Sequence, residues 1–173
     1  VCVASIRRYA GSIPYELVLI DNGSCDEATA QWLDQQREQP DVTVLRFDCP
    51  FNYARLHNLA RPHCRGTHLL LLNNDIELRS SEVLSTLLHP FAVQTTVAVG
   101  ARLLYPDGSL QHQGVMLIKG ERRCVLEPGK HLSDPAVIDS LTPLGVQEEF
   151  IAATAACLLI RTQDFDAIGG FDE

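Results

Sequence analysis

The residues best suited to chemistry in this chain stand at the ends of two apolar runs. Leu69-Leu70-Leu71-Leu72 stops abruptly at Asn73-Asn74-Asp75, and Glu16-Leu17-Val18-Leu19-Ile20 stops at Asp21-Asn22-Gly23-Ser24. Open α/β sheets bind ligands beyond the carboxyl ends of their strands, so both corners lie where a ligand is expected. Hard carboxylate and amide oxygens suit Mg²⁺ or Mn²⁺, above all when phosphates complete the coordination. Asn-Asn-Asp equally suits an Asx-type turn, and Asp21-Asn22 suits a turn in which Gly23 relieves strain. A carboxylate at Asp21 also suits a hydrogen bond to a base or a ribose hydroxyl.

The elements that must carry these corners follow from apolar period and punctuation. Val1 to Tyr9 has helical spacing and is broken by Gly11, Ser12 and Pro14. Asp26 is placed to cap a helix that runs through Trp32 and Leu33 until Pro40, and Val42 to Phe47 reads as a strand. Asn52 to His63 reads as a helix with an end or kink near Arg61, because Pro62 follows. Four consecutive leucines suit a strand buried on both faces of a parallel sheet. Ser80-Ser81-Glu82 opens a helix with Val83, Leu84, Leu87 and Leu88 on one face. Val97 to Leu104 reads as a strand before a Pro106-Asp107-Gly108 turn. Glu121 to Val146 reads as a long functional loop, and Ile151 to Ile160 as a buried strand or a core helix. Alternation of strands and helices indicates an α/β fold with a mainly parallel central sheet flanked by helices.

With 173 residues, 46% hydrophobic and 21% charged, the chain suits one globular domain. A net charge of -8 argues against a nonspecific nucleic-acid partner and against a polybasic membrane anchor. An acidic chain that holds a diphosphate needs local arginines, helix amino termini or a divalent cation. The six cysteines contain no CxxC pair and suit free thiols in a reducing compartment. Cys49, His57, His63 and Cys64 lack the usual spacing of zinc ligands. No apolar run approaches the roughly 20 residues of a membrane span.

Neither GxGxxG nor GxxxxGK[ST] is present, so Rossmann and P-loop chemistry lack their motifs. Asn52, Arg55 and Asn58 precede the leucine strand and suit contacts to donor phosphates or base, although Arg55 also suits a solvated helix face. His112 follows a turn and suits either a sugar contact or a structural role. Trp32, beside Leu33, suits packing.

Seven segments occur in the order seen in family 2 glycosyltransferases, and the chain resembles that family over almost its whole length. They are Glu16 to Ser24, Phe51-Asn52 with Asn58, Leu72-Asn73-Asn74-Asp75, Val99-Gly100-Ala101-Arg102-Leu103-Leu104-Tyr105-Pro106-Asp107-Gly108, Gln111-His112-Gln113-Gly114-Val115, Ala156 to Arg161, and Gly169-Gly170-Phe171-Asp172-Glu173. Within the family, the resemblance is to bacterial enzymes that build rhamnose-containing or other surface polysaccharides. It implies a GT-A fold and an inverting transfer from a nucleotide-diphosphate sugar, with UDP- or dTDP-sugars expected, to a glycan or lipid-linked acceptor.

The resemblance matches Asp21 to a nucleoside-binding aspartate, and Asp75 to the last carboxylate of a DxD-type motif with Asn73 as the other metal ligand. The implied donor-binding set is Asp21, Asn22, Asn52, Asn58, Asn74, Asp75 and His112, with Mn²⁺ or Mg²⁺ as cofactor. Residues 1 to about 110 form the donor half, and about 111 to 173 the sugar and acceptor half. The resemblance implies a central strand before Val1 and a catalytic base beyond Glu173, so the chain is expected to be a partial domain. Asp172 and Glu173 are weaker candidates for the base. Location is expected to be cytoplasmic, with any membrane association supplied by other segments. A noncatalytic nucleotide-sugar-binding module and a sugar nucleotidyltransferase are the competing readings.

Overall fold

In the computed structural model, which describes residues 1–114, 149 and 152–173, helices and strands alternate along the first hundred residues. Helix α1 (Cys2–Tyr9) precedes strand β1 (Leu17–Asp21), helix α2 (Glu27–Arg37), strand β2 (Val42–Arg46) and helix α3 (Tyr53–Ala60). Strand β3 (His68–Leu72) follows, then helix α4 (Val83–Leu88) and the short strands β4 (Ala98–Gly100), β5 (Leu103–Leu104) and β6 (Leu110–His112). Strand β7 (Cys157–Arg161) runs into helix α5 (Thr162–Ala167). The expected loop from Glu121 to Val146, Val115 and Ile151 lie outside the described residues.

Local chemistry sets the boundaries. Asp26 caps α2, its carboxylate accepting from the Thr29 amide at 2.8 Å. Asn52 does the same for α3, accepting from the Arg55 amide at 3.0 Å. Pro62 has no amide to continue the α-helical ladder, so the chain tightens into one 3₁₀ turn over Arg61–His63. The expected strand from Val97 to Leu104 divides into β4 and β5. Between them, Ala101 donates its amide to the Cys157 carbonyl at 3.0 Å.

The sheet expectation needs correction. The described residues form three small sheets, ordered β1-β2, β3-β7-β4 and β5-β6, rather than one mainly parallel central sheet. Parallel pairing holds β1 to β2, with Asp21 opposite Arg46 in register. The leucine strand β3 instead pairs with β7. Thr162 donates to Thr67 at one end, and Asn73 donates to Ala156 at the other, the arrangement of antiparallel strands. Strand β5 pairs antiparallel with β6 around the turn closed by Gly108 at φ 87°.

The chain divides into two units. One contains Val1–Tyr9 and Leu70–Leu159; the other contains Ala10–Leu69 and Ile160–Glu173. In the first, Leu87, Leu103, Cys157 and Leu159 form a core against which Leu70, Leu72 and Ile76 pack. In the second, Leu69, Ile160 and Phe165 form a core with Cys64 and Phe171. Leu69, Leu70 and Leu72 thus supply side chains to these two apolar clusters, and Leu71 is buried as well. Phe165 is 1% exposed, and its burial contributes about 2–3 kcal/mol.

Candidate functional site

The corner at the end of β1 is built around a buried carboxylate. Asp21 Oδ1 accepts the Ser24 amide at 2.8 Å, and Oδ2 accepts from Arg46 Nη1 at 3.0 Å. The Asp21 side chain is 1% exposed. Burial pushes its carboxyl upward, but the hydrogen bonds from Ser24 and the Arg46 guanidinium outweigh it and hold the group below the usual carboxylate range. Gly23, at φ 76°, makes the turn between them. Asn22 Nδ2 donates to the carbonyls of Phe47 at 2.7 Å and Cys49 at 2.9 Å. Its amide nitrogen thus ties the turn to the chain leaving β2.

The corner after β3 is open by contrast. Asn73, Asn74 and Asp75 are all exposed. Among the described residues, no side-chain hydrogen bond or ion pair occupies any of the three. Their backbone is fixed: the Asn73 amide donates to Ala156 at 2.9 Å, and Ile76 donates back to the Asn73 carbonyl at 3.2 Å. Helix α1 steadies the outgoing chain, because the buried Ser5 hydroxyl oxygen accepts the Leu78 amide at 3.0 Å. Burial pushes the nearby Cys2 thiol up, and the negative field of Asp75 adds to that effect.

As a metal centre this donor set is lean. Among the described residues, no group of three or more His, Cys, Asp or Glu side chains is gathered to hold an ion. One free carboxylate and neighbouring amide oxygens on a fixed turn fit Mg²⁺ or Mn²⁺ only when the ligand supplies most of the coordination, as a diphosphate does. Cys49, His57, His63 and Cys64 are not gathered into such a group either, and Cys49 and Cys64 are free thiols.

The remaining expected site residues are occupied by the fold. Asn52 caps α3. Asn58 Nδ2 donates to the Phe171 carbonyl at 2.9 Å and to Glu173 Oε1 at 3.2 Å, while its Oδ1 accepts the Phe171 amide at 2.9 Å. Arg61 reinforces this tie with a two-pronged contact to Asp166, at 2.8 and 2.6 Å. Asp172 is exposed, and Arg55 lies on an exposed face of α3. Trp32 is 41% exposed, so it is only partly used in packing. His112 Nε2 accepts the Thr154 amide at 3.1 Å, which places the proton of the neutral ring on Nδ1. Burial lowers its pKa.

Two residues that the sequence did not single out complete the first corner. Arg46 reaches Asp21, the Ser24 carbonyl and Asp48, and Asp48 Oδ1 sits against the Gly23 turn. Their signal was a basic residue ending the strand beside β1 in an otherwise acidic chain.

The sequence also resembles known proteins. The chain is 36% identical to the uncharacterized protein y4gI of Sinorhizobium fredii (strain NBRC 101917 / NGR234) over 164 residues. It is 33% identical to the O-antigen biosynthesis protein RfbC of Myxococcus xanthus over 162 residues. Each match covers 92% of this chain but only 17% and 12%, respectively, of those longer proteins. Among the described residues, no helix is long and apolar enough to cross a membrane. Residues 1–144, which contain both strand-end corners, match the sequence pattern of Glycosyl transferase family 2, and the chain belongs to that family.

Proposed function

We propose that this domain serves in transferring a sugar from a nucleotide-diphosphate sugar to an acceptor hydroxyl, with inversion, during polysaccharide or glycoconjugate synthesis. The observation that carries this assignment is the family match over residues 1–144. The name of the Myxococcus xanthus relative, an O-antigen biosynthesis protein, supports a glycan or lipid-linked acceptor, and UDP- or dTDP-sugars are the proposed donors. Free thiols at the described cysteines suit a cytoplasmic setting.

Asp21 is assigned to the nucleoside, with Asn22 holding the turn beside it. Asp75 and Asn73 are assigned to Mn²⁺ or Mg²⁺ together with the donor diphosphate, and Asn74 to the same donor group. The open, unpaired oxygens of that corner leave them available for an ion that arrives with phosphate. When bound, the ion supplies Lewis-acid stabilisation of charge on the leaving diphosphate. His112 fixes the Thr154 backbone through its ring and thereby shapes the approach to the donor sugar. Asn52 and Asn58 contribute by holding α3 and the Gly169–Glu173 segment. The general base is not assigned to Asp172, and Glu173 is engaged by Asn58.

Titration of the full-length protein with UDP and dTDP, with and without Mn²⁺, tests the donor assignment. Mn²⁺-dependent binding of a nucleoside diphosphate is expected. Preferential use of a nucleoside triphosphate with a sugar phosphate would instead assign nucleotidyl transfer.

A further inference from the structure

Strand β2 ends where β1 ends, and parallel register sets Arg46 directly beside Asp21. Its guanidinium joins three groups. Nη1 donates to Asp21 Oδ2 at 3.0 Å and to the Ser24 carbonyl at 3.2 Å; Nε and Nη2 meet Asp48 at 2.9–3.1 Å. The side chains are graded from interior to solvent, with Asp21 1%, Arg46 41% and Asp48 66% exposed. A planar fork spans this arrangement; a single ammonium does not.

We infer that Arg46 is the positioning residue of the nucleoside corner, aiming the Asp21 carboxylate and closing the Asn22–Ser24 turn, with Asp48 as its outer anchor. This rests on the assignment of Asp21 to the nucleoside. A carboxylate so held offers only acceptor oxygens, and therefore selects ligand groups that donate, such as an imide N–H or a ribose hydroxyl.

Among the described residues, the charged group acting on Asp21 is Arg46 on β2, and Arg46 in turn feels Asp48 beyond it and Cys25 in the turn after β1. On α3, which packs against β1, Tyr53 and His57 stack with each other and with Phe171. Arg46 is thus the cation that opposes the effect of burial on Asp21. Its removal raises the carboxyl's affinity for a proton, and protonation takes away the acceptor that the nucleoside needs.

The test is calorimetric titration of the full-length protein with uridine and thymidine from pH 7 to pH 5. Wild-type affinity is expected to stay flat over this range. In Arg46→Met, loss of a neighbouring opposite charge is expected to move the acid limb upward by about 1–3 pH units. Affinity at pH 5 then falls below its value at pH 7, by about tenfold where the shift reaches the upper part of that range. Arg46→Lys keeps the charge, so its profile stays flat at a lower affinity. A flat Arg46→Met profile, or one lowered equally at every pH, overturns the role given to Arg46. Should Arg46→Met fail to fold, Asp48→Asn probes the same clasp: weaker nucleoside binding is expected, and unchanged affinity overturns the inference. Asp21→Ala separates the two claims. If it retains nucleoside affinity, the nucleoside assignment itself fails.

Discussion

Asn58 grips the main chain of Phe171 from both sides, its Nδ2 donating to the carbonyl and its Oδ1 accepting the amide, each at 2.9 Å. The approach is close enough that a Cβ on Gly170 would collide with Asn58 Oδ1, and Gly170 already sits at φ 85°. Asn58→Ala removes these two main-chain hydrogen bonds, worth about 1 kcal/mol each, together with the exposed contact to Glu173, and should destabilise the domain by about 2 kcal/mol. Gly170→Ala should cost about 1–3 kcal/mol through backbone strain alone. Urea unfolding checks both; a loss below about 0.5 kcal/mol in either would show that the clasp contributes little.

Asp75→Asn should leave folding intact, because the exposed side chain has no described hydrogen-bond partner. Joint binding of Mn²⁺ and UDP should weaken at least about tenfold, the lower end of what losing even an outer-shell metal partner costs. Calorimetry with both ligands present makes the comparison. Equal affinity in a folded variant would remove Asp75 from the metal site.

The histidines set a pH dependence. Burial lowers the pKa of His57, His68 and His112 in the folded chain. A His with a depressed folded pKa contributes stability that is present above its unfolded value near 6.5 and is lost as pH falls through the folded value. Stability should therefore decline between about pH 7 and pH 5. His112→Gln keeps an acceptor for the Thr154 amide but does not titrate, so its decline should be shallower. Urea midpoints at three pH values read this directly, and parallel declines would discount His112.

Local signals made much of the fold legible. Asp26 and Asn52 cap the helices that their positions announce, and Pro62 ends α3 within a residue of the expected kink. Strand pairing was less legible, because four leucines in a row specify burial but not the direction of the neighbour. The antiparallel partner β7 begins 85 residues after β3 ends, as Cys157 and Leu72 mark. The asparagines show the same limit. Asn22 and Asn58 were visible as polar residues near the corners, yet their partners lie 25 to 115 positions away in sequence. Only the folded chain shows those amides binding backbone, while Asn73, Asn74 and Asp75 stay open.

The central claim is transfer of a sugar from an activated donor, and its most direct measurement is turnover by the full-length protein. UDP- and dTDP-sugars are supplied with Mn²⁺ and a lipid-linked glycan acceptor, and both free nucleoside diphosphate and glycosylated acceptor are counted. Equal amounts of the two products are expected, falling together in Asp75→Asn. Donor binding with neither product formed, or product formation undiminished in Asp75→Asn, would contradict the account.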